Sequence, residues 1–202
     1  MFVQVFQGRT NDPEALRGRM EVWQEEVQPG ATGYLGSTGG VTSDGDAVFV
    51  ARFESAEAAD RNSRRPEQSA WWSGTEQCFD GPVSFHDSVD VQEMDHGDRD
   101  RARFVQVMEG HISDPARARA LHDSAGEALR TLRPDLLGSI VAYHGEDAFT
   151  EVAYFTSESE ARQAEANMAQ EMPAEFADFD QVMKVERYLD LTDPWLVSAH
   201  PA

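Results

Sequence analysis

Hydrophobic and polar residues alternate at the start of the chain and again near its middle. The sequence FVQV at residues 2–5 returns at residues 104–107, an offset of 102 residues. At the same offset Asp12-Pro13 returns as Asp114-Pro115, and LGS at 35–37 returns at 137–139. A register held over this length indicates a duplicated unit.

Within each copy the pattern predicts the element order βαββαβ. Alternation at 2–8 and 104–110 predicts a strand, and Asp12 or Asp114 is the N-cap of a helix with proline at its first position. Two strand-like runs joined by a polar turn predict a hairpin, over 34–42 and 47–53 or 136–143 and 149–155. A second helix opens at Ser55 or Ser157, and a closing strand covers 83–91 or 182–191. This is the ferredoxin-like plan of an α+β fold.

The domain boundaries follow from the repeat. We expect the first ferredoxin-like half at 1–92, a charged linker at 93–103, the second half at 104–191 and a C-terminal tail at 192–202. Two helices cover only one face of a four-stranded sheet. We therefore expect the two bare faces to pack on each other as an intramolecular dimeric α/β barrel with a central lumen.

Charge and cysteine content narrow the partners and the compartment. The 202 residues include 17 Lys and Arg against 37 Asp and Glu, a formal charge of -20, which disfavours nucleic acid and membrane surfaces as partners. Cys78 is the single cysteine, so no internal disulfide forms and a reducing compartment fits. No targeting segment or membrane-length apolar run is recognisable, and we expect a cytoplasmic protein.

The motifs favour no cofactor. The six histidines show no pair at metal-ligand spacing. Gly33, Gly36, Gly39 and Gly40 surround a strand without a phosphate-binding G-x-G-x-x-G, so they are expected to relieve a twisted or bulged strand. We expect neither a metal nor a nucleotide cofactor.

The tandem βαββαβ pair, with its second helix broken at Arg64-Arg65-Pro66-Glu67 and followed by Trp71-Trp72, resembles the antibiotic biosynthesis monooxygenase-like group of the dimeric α/β-barrel superfamily. Single-unit members pair into a homodimer, and this chain looks like that dimer fused into a pseudo-dimer; whether it pairs again stays open. The group includes cofactor-free oxygenases, haem-degrading enzymes and isomerases, so the fold does not fix the activity.

The resemblance implies which residues would act. Members similar to anthrone oxygenases hold and deprotonate a planar phenolic substrate with asparagine, tryptophan and tyrosine. This implies Asn62, Trp72 and Tyr34 as catalytic residues. The copies differ most here, because Phe79 comes thirteen positions after Pro66, whereas Phe179 comes only six positions after Pro173.

Four further residues are candidates for ligand binding: Trp71, Gln7, His86 and Glu109. Each has a structural alternative. The tryptophan pair could be core packing, Glu109 could be a solvated strand end, and the face on which His86 lies is not decided by the pattern.

The expected function is that of a cofactor-independent monooxygenase-like protein that acts on or binds a small aromatic metabolite in the barrel lumen. The alternative is a non-catalytic small-molecule-binding or structural α/β barrel. A haem-degrading enzyme is less favoured, because it requires a histidine ligand in the lumen.

Overall fold

The chain consists of two compact units. The computed structural model describes residues 1–170 and 179–199. The first unit comprises Met1–Val89 together with the C-terminal segment from Asp193, and the second comprises Asp90–Thr192. The break predicted in the second copy, at Met172-Pro173, lies outside the described residues.

The first unit contains one five-stranded antiparallel sheet with three helices. Its elements are β1 (Phe2–Arg9), α1 (Pro13–Val22), β2 (Tyr34–Val41), β3 (Asp46–Phe53), α2 (Ala56–Ser63), α3 (Pro66–Thr75), β4 (Ser84–Ser88) and β10 (Trp195–Ser198). The strand order is β10-β2-β3-β1-β4. A π-helical turn, Trp23–Val27, directly follows α1. Asp12 caps α1 by accepting a hydrogen bond from the Ala15 amide at 3.0 Å, as predicted.

The second unit repeats this plan. Its elements are β5 (Asp90–Asp95), β6 (Phe104–Ile112), α4 (Pro115–Leu132), β7 (Leu136–His144), β8 (Ala148–Phe155), α5 (Glu158–Gln170), α6 (Phe179–Val182) and β9 (Met183–Leu191). The strand order is β5-β7-β8-β6-β9. Without the outer strand β5 or β10, each sheet has the ferredoxin-like order, so the prediction of two tandem βαββαβ units is confirmed.

The fifth strand of each sheet comes from a segment that the sequence pattern assigned elsewhere. β5 follows β4 along the chain but pairs with β7 in the second sheet. β10 lies in the expected tail and pairs with β2 in the first sheet. The expected linker, 93–103, thus begins inside a strand. The charged residues at the start of this segment suggested a solvated linker. They are compatible with an edge strand, because an edge strand keeps many polar side chains in water.

A bulge with a glycine residue lies where each outer strand approaches its neighbour most closely. Gly36 and Gly138 follow register shifts in β2 and β7, and their φ angles are +124° and +155°. A Cβ atom on Gly36 would lie 2.8 Å from the Val197 carbonyl oxygen, and one on Gly138 would lie 2.5 Å from the Met94 carbonyl oxygen. The repeated LGS sequence therefore reflects the close approach of the outer strand.

The same ion pair anchors both outer strands. Arg17 pairs with Asp193 before β10, and Arg119, its counterpart at the 102-residue offset, pairs with Asp90 at the start of β5. The guanidinium carbon of Arg17 lies 5.0 Å from the Trp195 ring centroid. The outer strands are thus part of the repeat.

The strand register corrects one detail of the repeat. Gln4 lies opposite Asp87 in the first sheet, and Gln106 lies opposite Asp190 in the second. In both pairs the glutamine amide donates to the aspartate at 2.9 Å. Asp87 and Asp190 are therefore counterparts, so the offset between the copies is 103 residues in the closing strands, one more than in the first strands.

Each unit has its core between one sheet face and the helices. Phe2 and Phe6 of β1 pack there, Phe2 with Ala58 and Ala59 of α2, and Phe6 with Leu16 of α1. Intervening residues of β1 lie on the opposite face because side chains alternate along a strand. The pairing of the two bare faces into a barrel stays a prediction. Within the described residues, no helix is long and apolar enough to cross a membrane.

Replacement of Arg17 by glutamine should loosen β10. Loss of an exposed ion pair and a cation–π contact removes about 0.5–1 kcal/mol. Amide hydrogen exchange of Trp195–Ser198 should therefore accelerate roughly two- to five-fold, measured by mass spectrometry or NMR. Arg119→Gln is the matched control and should accelerate exchange in Asp90–Asp95 only. Equal effects of either variant on both segments would contradict this account.

Candidate functional site

A cavity of about 70 Å³ lies in the first unit, on the helix-covered face of the sheet. The residues that line it come from all three helices, the π-helical turn and strands β1, β2, β3 and β10. They are Gln4, Phe6, Met20, Trp23, Tyr34, Ser37, Gly39, Phe49, Ala51, Phe53, Ala59, Asn62, Ser63, Gln68, Trp71, Trp195 and Val197. The site was expected in a lumen between the bare sheet faces, whereas this cavity lies on the opposite, helix-covered face of its sheet.

The cavity is aromatic with neutral polar groups. The rings of Trp23 and Tyr34 are in contact, with centroids 4.8 Å apart and planes tilted by 59°, and Phe49 stacks on Phe6 at 4.7 Å. The polar lining consists of amides and hydroxyls, and no carboxylate, imidazole or cationic side chain is among the described residues that line it. Such a lining suits an uncharged planar molecule with a hydrogen-bonding group.

One indole group fixes the orientation of Gln68. The Trp23 Nε1–H group donates to Gln68 Oε1 at 2.8 Å. Since an indole nitrogen can only donate, the atom that it meets must be the amide oxygen. Asn62 Nδ2 donates to the same oxygen at 3.1 Å. The Gln68 Nε2 group, which makes no hydrogen bond to a described residue, is left as a donor beside the cavity.

Asn62, a predicted catalytic residue, is held in place on both sides. Its Oδ1 atom accepts a hydrogen bond from Arg65 Nη1 at 3.0 Å, and the same Arg65 nitrogen donates to the Val27 carbonyl at 2.9 Å. Asn62 is 6% exposed. With its oxygen and its nitrogen both bonded, Asn62 positions Gln68.

Tyr34, the second predicted catalytic residue, lines the cavity as a protonated phenol. Its hydroxyl donates to Ser37 Oγ at 2.7 Å. Burial raises the pKa of Tyr34 well above its ordinary value. The hydrogen bond to Ser37 and the nearby Arg52 lower this pKa, but by less than burial raises it. The arrangement makes Tyr34 an orienting group and a poor base.

The two tryptophans of α3 have different surroundings. Trp71 is buried and donates from Nε1 to the Arg19 carbonyl at 2.6 Å, so that its ring forms a cavity wall. Trp72 is half-buried and does not line the cavity. It packs edge-on against Phe6 and Phe85, with centroids at 5.5 and 5.3 Å.

An open groove of about 360 Å³ adjoins the cavity. Cavity and groove share five lining residues, Gln4, Phe6, Ser63, Gln68 and Trp71. Trp72 lines only the groove, together with Phe85, which is 48% exposed. The groove is therefore a route from solvent to Gln68.

The remaining predicted ligand-binding residues lie elsewhere. Gln7 has the opposite parity from Gln4 and Phe6 on β1, so it lies on the other sheet face. His86 is exposed on β4, opposite Val5. Glu109, in the second unit, accepts a hydrogen bond from Arg187 Nη1 at 3.4 Å. None of the three lines the cavity.

Neither Gln68 nor Trp23 was predicted from the sequence as a site residue. One signal for Gln68 was present. Pro66 restarts the helix, and Gln68 and Trp71 then lie three residues apart on one face. No sequence signal marks the π-helical turn that begins at Trp23, although such turns recur at functional sites. Within the described residues, no three His, Cys, Asp or Glu side chains are grouped to hold a metal ion.

No protein-family model matches the chain, and no curated protein matches its sequence. Solved structures match it over its whole length. A protein of Fusobacterium nucleatum subsp. nucleatum described as a "putative monooxygenase" has a TM-score of 0.73 and 9% identity over 100% of this chain and 95% of that chain.

Two further structures are similar to the same extent. One from Lactobacillus acidophilus with the same description has a TM-score of 0.71 and 12% identity, over 98% of this chain and 96% of that one. An "anthrone oxidase-like protein" has a TM-score of 0.66 and 12% identity, over 99% and 94%. Identities this low show the fold alone: like these three proteins over their whole length, the chain consists of two tandem ferredoxin-like units.

Proposed function

We propose that the first unit binds a small planar aromatic molecule with a hydroxyl or carbonyl oxygen, and oxidises it with O₂ as a cofactor-independent monooxygenase. The observation that carries the proposal is the Gln68 amide. Its oxygen is occupied by Trp23 and Asn62, and its nitrogen remains available between aromatic walls. The names of the structural neighbours support the reaction class.

The size of the cavity limits the ligand. One water needs ~10–15 Å³ by this measure, so the 70 Å³ cavity holds roughly five waters or one substituted six-membered ring. A second or third ring would extend into the groove beside Trp72 and Phe85. Stacking on these rings would add about 0.5–1.5 kcal/mol to ordinary burial.

The oxidation requires that the substrate lose a proton. In such a reaction an activated C–H group gives up its proton, the carbanion passes electrons to O₂, and the resulting hydroperoxide loses water. A CH₂ group and O₂ thereby become a carbonyl and H₂O. The negative charge formed by deprotonation delocalises onto the hydroxyl or carbonyl oxygen attached to the ring, where a hydrogen bond from Gln68 Nε2 would stabilise it.

In this proposal, a water molecule in the groove accepts the proton that the substrate loses. Tyr34 stays protonated, and no ionised side chain is among the described residues that line the cavity. The same observation favours the second candidate function, binding of an aromatic molecule without turnover. Binding and O₂ consumption are therefore measured separately.

Replacement of Gln68 by leucine should weaken the binding of an oxygenated ring and spare its hydrocarbon analogue. Loss of one hydrogen bond to a neutral ligand is worth about 0.5–1.5 kcal/mol. Affinity for 2-naphthol should fall roughly two- to twelve-fold, while that for naphthalene stays unchanged, by isothermal titration calorimetry. Gln163→Leu, an exposed change on α5, is the control. Equal losses for both ligands would refute the hydrogen bond.

Turnover should follow the acidity of the substrate. With no protein base lining the cavity, log kcat for O₂ consumption should rise with pH up to the pKa of the bound substrate and then level off. The pH at which it levels off should move when ring substituents change the pKa of the substrate. The measurement uses an oxygen electrode with a panel of anthrones and hydroquinones.

Two outcomes separate the candidate functions. A pKa in the profile that stays constant across substrates would indicate a protein base and contradict this mechanism. Saturable binding without O₂ consumption above buffer, in both wild type and Asn62→Ala, would favour the non-catalytic binding protein.

A further inference from the structure

The second unit has an open cavity of about 650 Å³ on the helix-covered face of its sheet. Its position within the second unit is equivalent to that of the first cavity within the first unit. Gln106, Leu136, Ala153 and Phe155 line it, and at the 102-residue offset they correspond to four residues that line the first cavity. Duplication thus produced two cavities, whose linings can be compared residue by residue.

The chief difference is a carboxylate in place of an aromatic ring. Glu151 of β8 is the counterpart of Phe49, which stacks on Phe6 in the first unit. Glu151 is half-buried and lines the cavity beside Met108. Desolvation raises the pKa of Glu151 to about 7, and a hydrogen bond from Ser139 opposes this shift.

The arginines around this cavity are already paired. Arg133 forms a buried ion pair with Asp135 at 2.8 Å. Arg162 pairs with Asp190 and with Glu165, the latter at 3.2 Å. No cation among the described residues pairs with Glu151, so the ionised lining carries excess negative charge.

We infer that this second cavity binds a small apolar molecule carrying a protonated amine, with the ammonium group on Glu151 and the hydrocarbon against Met108, Leu136 and Phe155. An ammonium ion supplies the charge that the half-buried carboxylate lacks, and the apolar floor receives the rest of the molecule. The net charge of the chain attracts cations to the site.

The test uses two ligands of one shape. 2-Phenylethylamine should bind at least ten-fold more tightly than neutral 2-phenylethanol at pH 8, by isothermal titration calorimetry. Glu151→Gln, which keeps the shape, should abolish this preference. Glu127→Gln removes a carboxylate whose side chain is 92% exposed on α4 and should leave it intact. Equal binding of amine and alcohol, or a preference that survives in Glu151→Gln, would overturn the inference.

Proton release gives a readout that needs no variant. Near pH 7, amine binding should release protons, because an ammonium group favours the ionised form of Glu151 and burial raises the pKa of this carboxyl to about 7. The release is measured in buffers of different ionisation enthalpy. The other titratable or charged groups near Glu151 are Arg133, Tyr143 on β7, Arg162 and Glu165 on α5, and Tyr188 and Asp190 on β9. Binding without proton release would contradict the role of Glu151.

This test is independent of the function proposed for the first unit. All four tryptophans, Trp23, Trp71, Trp72 and Trp195, belong to the first unit. Amine binding in the second unit should therefore leave the indole N–H signals in the NMR spectrum unshifted, and Gln68→Leu should bind the amine normally. Shifted indole signals would place the amine in the first cavity and overturn the inference.

Discussion

The candidate site depends on a single hydrogen bond, from the indole of Trp23 to the side-chain oxygen of Gln68. An amide side chain can rotate by half a turn and exchange donor for acceptor, so that its chemistry in a cavity is not set by its identity. A partner that can only donate removes this freedom. Asn62 then has to present its nitrogen to Gln68 and its oxygen to Arg65. One indole thereby orders two amides and leaves one donor for a ligand.

The two units show which features the fold requires and which it leaves free. The hydrogen bond from Gln4 to Asp87 has its counterpart between Gln106 and Asp190, and the glycine bulges and the Arg–Asp anchors of the outer strands also occur twice. The cavity linings diverge, with Phe49 in one and Glu151 in the other. Sheet pairing is shared by both copies because it maintains the fold, whereas a cavity wall can change without disturbing the strand register.

Much of the fold could be predicted from the sequence, because the responsible interactions are local. Asp12 and Pro13 start a helix by their own chemistry, and the repeat made each element visible twice. The outer strands could not be predicted from local pattern. β10 pairs with β2 across more than half of the chain, and its anchor, Asp193, is recognisable only once Arg17 is seen beside it.

The difference between local pattern and long-range contact also explains how much of the candidate site could be predicted. Asn62, Trp72 and Tyr34 were predicted because their residue types matched a known arrangement. Asn62 and Tyr34 line the cavity, whereas Trp72 lines only the adjoining groove. Their roles could not be found in this way, because a role depends on what each polar atom touches. Burial keeps the proton on Tyr34, and the partners of Asn62 occupy its amide. The amide nitrogen available to a ligand therefore belongs to Gln68, six residues after Asn62. Helix α3, which begins at Pro66, brings Gln68 beside the indole of Trp23. Residue type therefore pointed to part of this cavity, and the hydrogen-bond partners decide which polar atoms in it can meet a ligand.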